Sequence, residues 1–264
     1  IVALMQKQSK KPIKTFTIGF EDPDFDESTF ASEVASHLKT DHSELLVTAK
    51  DAQSIIPDLP HFYDEPFADY SQIPTYFVCK SAKQAVTVSL SGDAGDELFG
   101  GYNRYLMAPR LWSKFSKVPG FFRNIVGMIL LAIPIKFWDL ISHQYNKITN
   151  QQNNFVHFGE KVHRFAARLR FINSEDDLFS SLISEPSADQ IVLINEAGSQ
   201  IDRKNAKFLT DSLPTYGVND LASKMMYLDT LNYLTDDILC KVDRAAMSNS
   251  LETRVPFLDH KIVE

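Results

Sequence analysis

The chain has 264 residues, of which 44% are hydrophobic, 23% charged and 11% aromatic, and its formal net charge is −7. This is an ordinary globular composition, enough for one large domain or two small ones. Its two cysteines, Cys79 and Cys240, are too far apart in sequence for a disulfide framework or a spaced metal site, which points to a reducing compartment and hence the cytoplasm. The most apolar run, residues 125–133, is stopped by Pro134 and followed by Lys136, well short of the roughly 20 apolar residues of a membrane helix.

The elements of the first hundred residues alternate. Lys14 to Gly19 sets Thr15 and Thr17 against Phe16 and Ile18, the period of a strand. After a turn rich in Asp, Phe30, Val34, Ala35 and Leu38 recur at helical spacing, with Asp26 or Ser28 as N-cap. Ser43 to Thr48 reads as a second strand, Asp51 to Leu59 as a short helix and Pro74 to Ala85 as another. Val86 to Leu90 is a third strand, running into a loop at Ser91 to Glu97. Strands joined through helices imply a parallel sheet covered on both faces, so the expected class is doubly wound α/β followed by a helical region. Beyond Tyr105 the pattern is helical. Leu221, Met225, Met226, Leu228 and Leu231 mark a buried helix face, and the one strand expected there is the short run Gln190 to Ile194.

Charge is segmented. Residues 1–20 hold 4 bases and no acid, and 21–100 hold 16 acids and 4 bases. Residues 101–170 hold 11 bases and 2 acids, and 171–264 hold 16 acids and 8 bases. A basic block in an acidic chain can attract a polyanion. The reading preferred here is that Arg164, Arg168 and Arg170 lie on the solvated face of one amphipathic helix, since no nucleic-acid-reading motif accompanies them and no nucleic-acid or membrane partner is expected.

Ligands of open α/β sheets sit beyond the carboxyl ends of the strands. Two such ends stand out: Ile18-Gly19-Phe20, and the loop Ser91 to Tyr102, which carries Asp93, Asp96 and Glu97 among glycines. Gly92 and Gly95 let the backbone approach a ligand closely. Carboxylates here would repel a phosphate or hold the Mg²⁺ that accompanies it, and Asp96 and Glu97 can equally begin a helix whose dipole favours acids. Further on, Asp243, Arg244, Glu252, Arg254 and Asp259 are spaced to form ion pairs against the acidic loop. For each of them a structural salt bridge is as good a reading as a substrate contact. Of the cations, Lys241, Arg254 and Arg104 are the candidates for phosphate or substrate carboxylate. His42, His61 and His260 share no metal-ligand spacing, and neither cysteine has an acid-base partner in register.

SGDAGDELFGGYNRY at 91–105 and DDILCKVDRAAMSNSLETRVPFLD at 236–259 closely resemble the synthetase domain of glutamine-hydrolysing asparagine synthetases, within the ATP-pyrophosphatase group of α/β folds. TFTIGF at 15–20 and DEPFADYSQIPTY at 64–76 match the same family. The resemblance covers residues 1–105 and about 218–264, with 106–217 corresponding to the variable helical region of the longer members. It implies a nucleotide-binding part at 1–105, a helical segment completing the site at 218–264, ATP and Mg²⁺ as cofactors, and adenylation of the aspartate side chain followed by attack of glutamine-derived ammonia. By the same resemblance the Ile18 backbone contacts adenine, Ser91 and Gly92 line the AMP, and Asp96 binds Mg²⁺. Asp93 falls where the well-known members carry Glu, a residue implicated in forming the intermediate and taking a proton from ammonia. Glu97 caps or orients the loop.

The family's Ser-Gly-Gly-x-Asp-Ser pyrophosphate motif does not occur in the sequence, and Ile1-Val2-Ala3-Leu4-Met5 looks like the helix that follows it. A Cys-led glutaminase domain before Ile1 and a lysine-bearing loop after Glu264 are expected, so the sequence reads as a piece of a longer protein, with a homodimer of that parent compatible. An inactive remnant or weak nucleotide-binding module, or an amide-forming relative with another acceptor acid, stands as the alternative.

Overall fold

The computed structural model describes residues 1–21, 26–149, 158–183, 217–218 and 220–264. In chain order the elements are α1 (Val2–Gln8), β1 (Lys14–Phe20), α2 (Ser28–Leu38), β2 (Asp41–Val47), α3 (Ala49–Ile55), α4 (Leu59–Tyr63), α5 (Gln72–Lys83), β3 (Val88–Leu90) and α6 (Gly95–Phe99). There follow α7 (Asn103–Phe115), α8 (Gly120–Ala132), α9 (Ile135–Thr149), α10 (Phe158–Phe171), α11 (Glu175–Ile183) and α12 (Leu221–Leu231). A π-helical turn (Tyr233–Leu239), α13 (Cys240–Ser248), β4 (Glu252–Arg254) and α14 (His260–Val263) complete the chain. Two compact units result: Ile1–Gly101 with Tyr227–Glu264, and Tyr102–Met226.

In the first unit the strands are parallel, as expected. β1 pairs with β2 from Lys14↔Asp41 to Phe20↔Val47, and β3 pairs with β4 from Val88↔Glu252 to Leu90↔Arg254. Among the described residues these form two separate two-stranded sheets rather than one continuous sheet. The alternation read in β1 is real. Ile18 and Phe20 pack with Leu45 against Val47, Ile55 and Phe77 of α5. Gly19 points to the other face, where a Cβ would sit 3.1 Å from the Ser28 hydroxyl at the start of α2. A second cluster joins Cys79 and Ala82 of α5 to Ala245, Ala246 and Leu251, with Phe16 and Val86 packed against it. α5 thus lies between β1 and α13, and its small residues let α13 approach.

Several boundaries differ from the sequence reading for local reasons. α3 starts at Ala49 because Thr48 caps it: its hydroxyl accepts from Asp51 N–H at 3.2 Å while the Asp51 carboxylate accepts from Thr48 N–H at 3.0 Å. The helix expected to run to Leu59 breaks at a 3₁₀ turn, Ile56–Asp58, and α4 follows. Neither Asp26 nor Ser28 caps α2 in the expected way. Glu27 holds the cap position, and Asp26 instead accepts from Ser28 N–H at 3.0 Å. β4 was not expected: Glu-Thr-Arg has no apolar alternation, and only backbone pairing with β3 makes it a strand. The strand read at Gln190 to Ile194 lies outside the described residues.

In the second unit α8 packs closely on α10. Gly127 is the reason, since a Cβ there would lie 2.7 Å from the Ala166 carbonyl oxygen. Arg123, buried on the same face, donates from its guanidinium to the Ile172 carbonyl. Of the three arginines read as a solvated face, only Arg164 is exposed. Arg168 and Arg170 are half-buried, and Arg170 Nε donates to Asn124 Oδ1 at 3.1 Å. Leu221, Met225 and Leu228 are buried as expected, whereas Leu231 is 39% exposed. No single helix among the described residues is long and apolar enough to cross a membrane.

Candidate active site

β3 delivers the acidic loop at its carboxyl end. Ser91 N–H donates to the Arg254 carbonyl at 3.0 Å, extending the β3–β4 ladder by one step. The chain then turns sharply: Gly95 N–H reaches the Gly92 carbonyl at 3.3 Å, and Ala94 takes φ 66°. A left-handed alanine costs about 1–3 kcal/mol, and packing offsets it here. Ala94 is wholly buried with Leu234 and Ile238, surrounded by Leu98, Val255 and Phe257. Gly95 is confined on the same side, where a Cβ would meet the Phe257 ring at 3.2 Å.

The start of the loop is open by contrast. Nothing lies within 4 Å of where a Cβ on Gly92 would be, and the buried Ser91 Oγ has no hydrogen-bond partner. A buried hydroxyl left unsatisfied costs about 1–3 kcal/mol. Asp96 is exposed in the first turn of α6, and a Cβ on Gly101 would collide with its carboxylate, while Gly101 N–H donates to the Asp96 carbonyl at 3.0 Å. Glu97, expected to cap or orient the loop, is 2% exposed, and the cap position of α6 belongs to Ala94. Asp93 is half-buried, and its charge adds to burial in pushing the Cys79 thiol up to about 11.

The remaining sequence candidates fall elsewhere. Ile18 sits in mid-β1 with its main chain in register with Leu45 and its side chain in the α5 core. Arg104 belongs to the second unit and stacks its guanidinium 4.3 Å from the Tyr102 ring centroid. Arg254 pairs with Glu252 at 2.7 Å on the surface. Lys241 is buried: its Nζ lies 2.7 Å from Asp69 Oδ2 and 2.7 Å from Ser71 Oγ. The ion pairs read from spacing therefore take a different course, with Lys241 and Arg244 reaching Asp69 and Asp64 (2.9 Å) of the 64–76 segment.

Sequence reasoning missed the polar cluster around Lys241. Asp69 also accepts from Ser71 N–H at 2.8 Å, and burial, which opposes its charge, is outweighed by Lys241 and Ser71, so its carboxyl is held below the ordinary range. Asp237, on the π-helical turn, is pushed up to about 6 by burial and by the charge and hydrogen bond of Asp69, against the pull of Lys241. Its Oδ1 is buried without a partner. Tyr63 OH donates to the Lys241 carbonyl at 3.3 Å.

Among the described residues no three His, Cys, Asp or Glu side chains are grouped to hold a metal. The acids available are Asp93 and Asp96. Mg²⁺ in nucleotide sites uses one or two carboxylates and takes its other ligands from phosphate and water, so this donor set fits Mg²⁺ bound together with a phosphate, and does not fit an all-protein cage.

Parallel strands connected by helices, with a Gly-rich acidic loop at a strand's carboxyl end, define an α/β arrangement. The asparagine synthase family model matches residues 1–264, and the chain belongs to that family. It is 28% identical over all of its length to asparagine synthetase [glutamine-hydrolyzing] 1 of Bacillus subtilis, of which it covers 37%. It is 33% identical over 93% of its length to the putative asparagine synthetase [glutamine-hydrolyzing] 2 of Methanocaldococcus jannaschii, covering 42% of that protein. A putative asparagine synthetase [glutamine-hydrolyzing] of Mycobacterium bovis is 29% identical over 99% of the chain, which covers 36% of it. The chain thus spans about two fifths of the length of these relatives.

Proposed function

We propose that this chain supplies the ATP-dependent half of a glutamine-hydrolysing asparagine synthetase, a carbon-nitrogen ligase. The aspartate side-chain carboxylate attacks the α-phosphorus of ATP, pyrophosphate leaves, and ammonia released from glutamine attacks the acyl carbon to give asparagine and AMP. A free carboxylate resists nucleophiles until one of its oxygens becomes a good leaving group, which adenylation provides. The observation that carries this reading is the β3 loop, where the unobstructed Gly92 backbone lies at the strand's carboxyl end ahead of the exposed Asp96.

On this reading Ser91 and Gly92 line the AMP moiety, and the Ile18 main chain meets the adenine. Asp96 would hold Mg²⁺, which would supply neutralisation of phosphate charge. Asp93 would take a proton from the attacking ammonia. Arg254 and Arg104 are candidates for the phosphates or substrate carboxylate. Lys241 is better suited to holding the 64–76 segment, because Asp69 and Ser71 already occupy its ammonium. Residues 1–105 and 218–264 would form the synthetase part and 106–217 the variable helical region. The two strand pairs would belong to one doubly wound sheet of ATP-pyrophosphatase type, a reading supported by the core that Phe16 of β1 shares with Leu251 beside β4.

Calorimetry of the full-length protein with Mg-ATP tests the site. Saturable heat that is lost in Asp96→Ala is expected. Absence of heat at millimolar Mg-ATP would leave an inactive remnant as the better reading.

A further inference from the structure

Apart from Arg123 and Asn124, α8 is apolar, and among the described residues it packs most heavily on α10. Arg123 and Gly127 face α10, while on the opposite side Phe121 is 71% exposed, Phe122 58%, Val126 46%, Met128 46% and Ile129 57%. At 100° per residue these five spread over the outward half of the helix, with no charged residue among them. A monomeric protein rarely leaves such a face in water.

The surroundings of this face indicate what covers it. From Leu98 to Trp138 the sequence contains six bases and no acid, Asp139 comes next, and of the six Arg123 is buried on the α10 side. Lys114 and Lys117 are exposed just before α8, and Lys136 is exposed just after it. α7 and α8 are bent by 112° against each other. At 13 residues α8 is about 20 Å long, too short to span a bilayer of about 30 Å. An apolar helix face with exposed lysines before and after it in the chain is the chemistry of a helix lying in the interface of an anionic membrane. A second copy of this chain fits less well, because a two-fold interface would bring two sets of these lysines together.

We propose that the outward face of α8, with the exposed Lys114 and Lys117 before it and Lys136 after it in the chain, is a peripheral docking surface for an anionic lipid bilayer. The sequence expectation of no membrane partner followed from the lack of a spanning segment, and surface docking requires none. The proposal is independent of the reaction assigned to the β3 loop.

Co-sedimentation of the full-length protein with phosphatidylcholine vesicles, with and without phosphatidylglycerol, is the test. Binding to the anionic vesicles only, weakened at least tenfold in Lys114→Glu/Lys117→Glu and abolished in Phe121→Glu/Ile129→Glu, is expected. Both variants place charge at exposed positions, and circular dichroism is the check that they fold. No binding to anionic vesicles overturns the proposal. So does binding that both variants retain, or a concentration-dependent dimer that Phe121→Glu/Ile129→Glu dissociates while vesicles bind nothing.

Discussion

Lys241 Nζ sits 2.7 Å from Asp69 Oδ2, joining α13 to the segment before α5 across 172 residues of sequence. Side-chain exposures of 10% and 15% make this a buried pair, and Ser71 Oγ takes a second ammonium proton. Removing one partner of such a pair strands the other charge. Lys241→Met should therefore cost about 3 kcal/mol in urea unfolding. Adding Asp69→Leu should recover most of that loss, and a single-variant cost below about 1 kcal/mol would contradict the buried pair.

Asp237 should make stability depend on pH in the opposite sense from Asp69. Its carboxyl is raised from 3.8 to about 6, so the folded state prefers the protonated form. The stability this gives is complete below pH 3.8 and is lost as pH rises through about 6. Asp69, held low, contributes stability above 3.8 that is lost as pH falls through its folded value. Asp237→Asn keeps a donor for Asp69 without the charge. Its Tm should equal the parent's near pH 4 and exceed it by about 2–4 °C at pH 8, the scale of roughly 1 kcal/mol. Equal melting at both pH values would refute the assignment.

Two glycines of the loop should behave oppositely. Gly101→Ala drives a methyl into the Asp96 carboxylate, so it should displace Asp96 and weaken Mg-ATP binding at least tenfold. Gly92→Ala enters open space at a backbone without positive φ, so its stability should stay within about 0.5 kcal/mol of the parent. If the open face is where nucleotide lies, Gly92→Ala loses affinity nonetheless. Unaltered affinity in both variants would move the nucleotide elsewhere.

Cys79 reports on Asp93. Burial first, and then the Asp93 charge, raise its thiol to about 11. In a Cys240→Ser background iodoacetamide should leave native Cys79 unmodified at pH 8. The alkylation profile should move to lower pH in Asp93→Asn, and an unmoved profile would place Asp93 away from α5.

Local chemistry was legible in the sequence where one segment carried all of it. β1 shows its period because Phe16, Ile18 and Phe20 alternate with residues facing the other way, and the β3 loop shows its glycines and acids within a few positions. β4 was not legible, because its strand character lies in hydrogen bonds to β3 and not in its polar side chains. The Lys241–Asp69–Asp237 cluster was hidden for a related reason: its members are brought together only when α13 packs on α5. Periodicity assigns Lys241 to a helix face but says nothing about which acid waits opposite. The basic block was misjudged in part for the same reason, since α10 turns Arg168 and Arg170 towards neighbours that spacing alone does not reveal.

The central claim is that the β3 loop serves adenylation of an aspartate side chain, and pyrophosphate release by the full-length protein tests it most directly. With ATP and Mg²⁺ present, release should require aspartate and should fall at least a hundredfold in Asp96→Ala, about 2.7 kcal/mol of transition-state stabilisation. Pyrophosphate released with another carboxylic acid but not with aspartate, or released equally by Asp96→Ala, would contradict it.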